Sequence, residues 1–204
     1  MGSKGRFRAT LGDRNRKFVL LCLVYPAILG TIIWEFIGKP FELLTWSVAL
    51  LLAFHFTLDF IYLKLNLEYH GAEDSFRYGW SLFTIDLGIV VLIRLAFTTL
   101  DEMVLPSSIL SHPYSYLTGV YVLYVIWEII YARHNPIQKK SPETTPKHYA
   151  MCCTAFLSTF VLYLASQALC SATWLHHATN VIFVTVLLCA VGEHFWSVFL
   201  RVKA

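Results

Sequence analysis

Apolar runs recur along this chain at the length that matches a bilayer, and that repetition constrains the fold more than anything else in the sequence. About 20 apolar residues cross the ~30 Å hydrocarbon core as an α-helix. Backbone amides in lipid must be bonded within the chain, which leaves helices or closed barrels. The apolar–polar alternation over ~10 residues that marks a barrel strand is absent. Six runs are legible, at about residues 18–37, 43–65, 79–100, 115–133, 150–170 and 177–200. The expectation is an all-α integral membrane protein, a bundle of about six transmembrane helices. Residues 18–200 form its single domain, residues 1–17 a basic tail and residues 201–204 a short end. Only 14% of the residues are charged, against about 25% in soluble domains.

The distribution of Lys and Arg sets an orientation, because cytoplasmic loops carry the excess. The tail holds Lys4, Arg6, Arg8, Arg14, Arg16 and Lys17. Lys64 and Arg77 follow the second run, and Arg133, Lys139, Lys140 and Lys147 follow the fourth. Arg201 and Lys203 close the chain, and the three opposite loops together hold only Lys39. Both termini are therefore expected on the cytoplasmic side, by default that of a bacterial inner membrane. A signal peptide is excluded by the length of the first run, which ends in Ile33-Trp34-Glu35-Phe36 rather than at a small-residue cleavage site. Arg6 stands where N-myristoylation needs Ser or Thr. Topology accounts for the basic tail without nucleic acid. The expected partners are the bilayer, a second copy of the chain, and a cytoplasmic protein docking on residues 1–17 and 133–148.

Cys22, Cys152, Cys153, Cys170 and Cys189 lie within or at the edges of the runs with no CxxC or zinc-ligand spacing. They read as small packing residues. Pro26 is expected to kink the first helix. Trp46, Trp80, Trp174 and Trp196 lie near span ends, where aromatic residues anchor at the interface.

Ionisable residues inside the spans are costly in lipid and normally face the bundle interior. At ~1.5 Å per residue, Asp59, Asp86, Glu128 and Glu193 all fall roughly 6–7 Å to the cytoplasmic side of the midplane. One of their helices runs outward and three inward, so the shared height is not a trivial consequence of sequence position. His194 lies in the same layer, and His55 is one turn above Asp59 on the same helix face. Four carboxylates close together in low dielectric cannot all be ionised. The layer is therefore expected to bind a cation or relay protons through Asp59, Asp86, Glu128, Glu193, His55 and His194. The bland alternative has each acid bonded separately to a neighbour such as Tyr62, Trp127, Tyr131, Thr84, Ser158 or Ser197. Glu35 and Arg94 match in depth near the outer side and are expected to form a structural ion pair.

No HExxH, GxSxG, GxGxxG, P-loop or DxxxD pattern is present. No cofactor is expected beyond a metal at the acidic layer. Haem is disfavoured, because its two candidate ligands, His55 and His194, differ in depth by roughly 7–8 Å. The tripeptides Ile33-Trp34-Glu35 and Ile126-Trp127-Glu128 hint at a three-plus-three repeat. Three functions fit these residues. A proton or cation channel or transporter ranks first. A non-catalytic membrane subunit of a larger complex, for example in signalling or defence, ranks second. An intramembrane enzyme acting on a lipid or isoprenoid ranks third.

Overall fold

A computed structural model describes residues 16–38, 42–69, 78–100, 112–134, 146–168 and 173–203. These are almost entirely helical, with no strand among the described residues. A π-helical segment, Val19–Val24, leads into α1 (Tyr25–Gly38). It is followed by α2 (Leu43–Tyr69), α3 (Trp80–Thr98) and α4 (Pro113–His134). The last two helices are α5 (Pro146–Ala168) and α6 (Thr173–Lys203).

Five helices are long and apolar enough to cross a membrane, over Arg16–Trp34, Leu43–Lys64, Trp80–Thr98, Tyr149–Ser166 and His177–Trp196. The exception is α4, whose 22 residues include five tyrosines, Trp127 and Glu128. Its low hydropathy has a packing reason. Tyr114, Tyr121, Tyr124, Trp127 and Glu128 are all buried inside the protein rather than turned to its surroundings.

Five helices close a ring, in which α3 packs on α4, α4 on α5, α5 on α6, α6 on α2 and α2 back on α3. The α1 segment packs outside on α3, and the Tyr25 ring contacts Phe56 and Phe60 of α2 at 5.0 and 5.5 Å. The distribution of polarity is that of a membrane protein. Exposed faces carry Phe54, Val91, Leu157, Val161, Val181 and Leu188, while Asp59, Asp86, His112, Glu128, Asn180 and His194 are buried. So large an apolar exterior suits hydrocarbon rather than water. Trp34, Trp80, Trp174 and Trp196 are exposed towards the helix ends, where indole rings favour the interface.

Two local features position the interior. Pro26 has no amide hydrogen to donate, and its ring crowds the carbonyl four residues earlier. The chain answers with a widened turn, in which the Tyr25 amide donates five residues back to the Leu20 carbonyl. The expected irregularity at Pro26 is thus a π-helical segment on its amino-terminal side. The second feature is the α3–α4 seam. A Cβ on Gly88 would meet Leu123 Cδ1 at 3.1 Å, and one on Gly119 would meet Leu92 Cδ1 at 3.0 Å. Each glycine is the hollow for a leucine of the other helix, so the two backbones approach closely.

Candidate functional site

Helical spacing puts Asp59, Tyr62 and Leu63 on one face of α2, and Tyr124, Trp127 and Glu128 on one face of α4. Those faces meet Asp86 of α3 and Tyr149 of α5 around a single recess. Its volume of about 20 Å³ admits a water molecule. Three of the four expected carboxyl groups are brought together here. Glu193 is not, because its side chain lies on the exposed face of α6. Adjacent helical residues point about 100° apart, and it is His194 that turns inward.

Tyrosines satisfy the two aspartates. Asp59 accepts hydrogen bonds from the Tyr25 hydroxyl and, at 2.7 Å, from the Tyr124 hydroxyl. Asp86 accepts from the Tyr78 hydroxyl. Tyr78 lies just ahead of α3, and burial beside Asp86 raises its hydroxyl well above the ordinary tyrosine range, so it remains a donor. The Trp127 indole N–H is directed at the Asp86 carboxyl without reaching hydrogen-bond geometry. The separate-partner alternative is therefore met in part, with different residues. Tyr25, Tyr78 and Tyr124 are the donors, while Tyr62 and Trp127 line the recess.

The rim of Asp86 is tied to the amino-terminal segment. Arg16 donates from Nε and Nη2 to the Tyr78 carbonyl at 3.4 Å each, and its guanidinium lies 4.8 Å from the Trp80 ring.

Deeper in the bundle, His55 and His194 stack with ring centroids 5.3 Å apart and planes 12° apart. The height difference expected between them does not separate the rings, since side chains reach several ångströms along the axis. The same stacking leaves no gap between them for a haem. His194 also contacts the rings of Tyr62 and Tyr124. His55 Nε2 is hydrogen bonded to the Tyr121 hydroxyl at 2.9 Å, and His55 Nδ1 has no hydrogen-bond partner. Among the described residues, no three His, Cys, Asp or Glu side chains stand close enough to hold a metal ion.

A second polar cluster, not anticipated from the sequence, occupies the other end of the bundle. His112, at the start of α4, is fully buried, and its ring lies 4.2 Å from those of Tyr114 and Tyr163. Its Nδ1 accepts from the Tyr114 amide at 3.3 Å, and the Tyr114 hydroxyl donates to Asn180. Between the two clusters stand Phe156 and Phe183, with centroids 6.0 Å apart. Phe156 stacks on Tyr121, and Phe183 packs against Tyr114 with the rings tilted by 41°. A histidine directly before a proline at a span edge reads as loop, so His112 carried no signal of burial.

The Glu35 side chain lies outside the described residues, and with it the expected pairing to half-buried Arg94. Most of the two expected docking segments, residues 1–15 and 135–145, lies outside them as well. The chain matches no protein-family model, no curated protein and no solved structure.

Proposed function

We propose that this chain is a six-span membrane enzyme that cleaves a lipid by acid–base chemistry at the Asp59–Asp86–Glu128 recess. In this reading both termini are cytoplasmic, α4 is the sixth span, and the recess faces the inner leaflet. One observation carries it: three carboxyl groups from three helices surround a space the size of a water molecule, inside a bundle with an apolar exterior.

Asp59, holding two tyrosyl hydroxyls, acts as a fixed charge. Asp86 keeps a carboxyl oxygen towards the recess and serves as the base. A water proton passes to Asp86 while the water oxygen bonds to the substrate's acyl carbon. The bond from that carbon to the leaving oxygen or nitrogen breaks, and the proton returns to the leaving group. One water is consumed and no oxidant is needed. General base catalysis of this kind contributes roughly 10²–10⁴-fold.

The channel reading has less support. A proton or ion path needs a continuous polar chain, and among the described residues the rings of Phe156 and Phe183 lie between Tyr121 and Tyr114. The stacked His55–His194 pair beside Tyr124 favours short-range proton movement on the recess side, which serves an enzyme equally well.

The test is hydrolysis of a panel of ester- and amide-linked fluorogenic lipids by the purified protein in nanodiscs, beside Asp86→Asn and His112→Ala. Turnover reduced at least about 100-fold in Asp86→Asn, with His112→Ala active, supports the reading. Loss in His112→Ala alone moves the chemistry to the other cluster. No turnover across the panel, with cation flux that needs Asp59 in liposomes, restores the ion pathway.

A further inference from the structure

His112 closes the amino-terminal end of α4 in a way that needs a neutral imidazole. The first amides of a helix have no carbonyl partner within it, and the residue just ahead of the helix commonly supplies an acceptor. Pro113 at the first helical position has no amide to satisfy. The next amide, that of Tyr114, donates to His112 Nδ1 at 3.3 Å, and the Ser115 amide donates to the His112 carbonyl at 3.0 Å. His112 thus caps α4, where Ser, Asp or Asn is usual. A ring nitrogen that accepts a hydrogen bond carries no hydrogen, so the ring is neutral with its hydrogen on Nε2. A proton added at Nδ1 would face the hydrogen of the Tyr114 amide. It would also put positive charge at the positive end of the α4 dipole, on a fully buried ring. Of the groups facing that ring, Tyr114 comes from α4 and Tyr163 from α5, each with its ring 4.2 Å away. From α6, Asn180 presents a neutral carboxamide that takes the Tyr114 hydroxyl. Neither phenol ionises in the acid range. The Tyr163 ring attracts an imidazolium, yet it supplies no acceptor for a hydrogen on Nδ1.

Tyr114 carries the effect of this cap beyond α4. Its hydroxyl donates to Asn180 of α6, and its ring centroid lies 3.9 Å from that of Phe183. The amide that His112 holds and the side chain that joins α4 to α6 therefore belong to one residue. We infer that His112 is an acid-operated latch, whose protonation uncaps α4 and releases Tyr114 from Asn180 and Phe183. The ring is buried, so the proton arrives as the first turn of α4 opens, and then holds it open. Only the closed form requires the neutral ring. The cap is therefore intact above the ordinary histidine range and weakens as the pH falls through it. In the proposed topology the latch answers to acidity in the outer compartment, and it stands independently of the chemistry at Asp86.

The experiment is hydrogen–deuterium exchange of the protein in nanodiscs, read by mass spectrometry at about pH 7.5 and about pH 5, on either side of the histidine range. Intrinsic exchange rates are corrected for pH. Where only the open form binds the proton, opening rises about tenfold for each pH unit below about 6.5, or about 30-fold between the two conditions. Protection is expected to fall by that factor at the start of α4 and around Asn180, and to hold in α3. His112→Asn keeps a side-chain oxygen as a cap that does not titrate, so its protection is expected to be alike in both conditions. Tyr114→Phe keeps the amide and loses the hydroxyl, so the acid response is expected to stay in α4 and vanish around Asn180. Unchanged protection of wild-type α4 in acid overturns the inference, whether or not the variants fold. A loss that persists in folded His112→Asn overturns it by assigning the response to another group. An equal loss in every helix overturns it as general acid unfolding. A response around Asn180 that persists in Tyr114→Phe overturns the release of Tyr114 as its route.

Discussion

Asp59 shows how much of a buried charge's environment a few hydroxyls can supply. Its carboxyl collects one phenol from α1 and one from α4, so it joins three helices at one point. Hydrogen bonds to charged groups are worth about 1.5–3 kcal/mol, and leaving a buried partner unsatisfied costs about as much. Tyr25→Phe and Tyr124→Phe are each expected to lower stability by about 1–3 kcal/mol, read from denaturation in micelles. The double variant should lose more than either, because the aspartate then has no tyrosyl donor. At this scale the sequence was informative about height and mute about direction. Ionisable residues in apolar runs singled out Asp59, Asp86 and Glu128, which line one recess. Depth alone could not say that Glu193 turns out and His194 in. The donors Tyr25, Tyr78 and Tyr124 look like any other aromatic residue in a span, so nothing distinguished them.

Among the elements, the α3–α4 seam is the most demanding contact. Gly88 and Gly119 each accept a leucine tip from across the interface, which fixes the height of Asp86 on α3 relative to Glu128 on α4. Gly119→Leu is expected to force the helices apart and to cost about 1–3 kcal/mol by overpacking. Gly30, around which a new Cβ meets nothing within 4 Å, is the matched control and should tolerate Ala. The π-helical segment makes a comparable prediction. Pro26→Ala restores an amide and allows an ordinary α-helix across Val19–Val24, which turns Arg16 away from Tyr78 and Trp80. The expected readout is faster protease cleavage of the amino-terminal segment, with thermal stability little changed. Helix existence and approximate limits were legible from apolar run length. The lengths were not: α6 covers 31 residues, because polar residues at its ends continue the helix beyond the apolar run. The hint of a repeat fares poorly, since Trp34 is exposed and Trp127 buried, in unlike surroundings.

For the whole molecule, the ring of α2 to α6 turns its ionisable side chains Asp59, Asp86, Glu128, His55 and His194 inward among aromatic and aliphatic residues, and leaves a largely apolar exterior. The proposed topology makes a direct prediction in a cysteine-free background. A cysteine at Lys39 should react with an impermeant maleimide added outside intact cells, and one at Lys147 only after permeabilisation. The reverse pattern inverts the orientation. The phenylalanine pair at the centre has a consequence for energetics. A potential across a membrane falls mainly where mobile charge and water are lacking, and moving one charge through all of it is worth about 2.3 kcal/mol per 100 mV. With Phe156 and Phe183 as the insulating layer, most of that drop lies between the His112 cluster and the Asp86 recess. In the proposed orientation the Asp86 recess then lies at the electrical potential of the cytoplasmic side. Protons exchanged at Asp86 do no electrical work, and chemistry there should run at the same rate in energised and de-energised membranes.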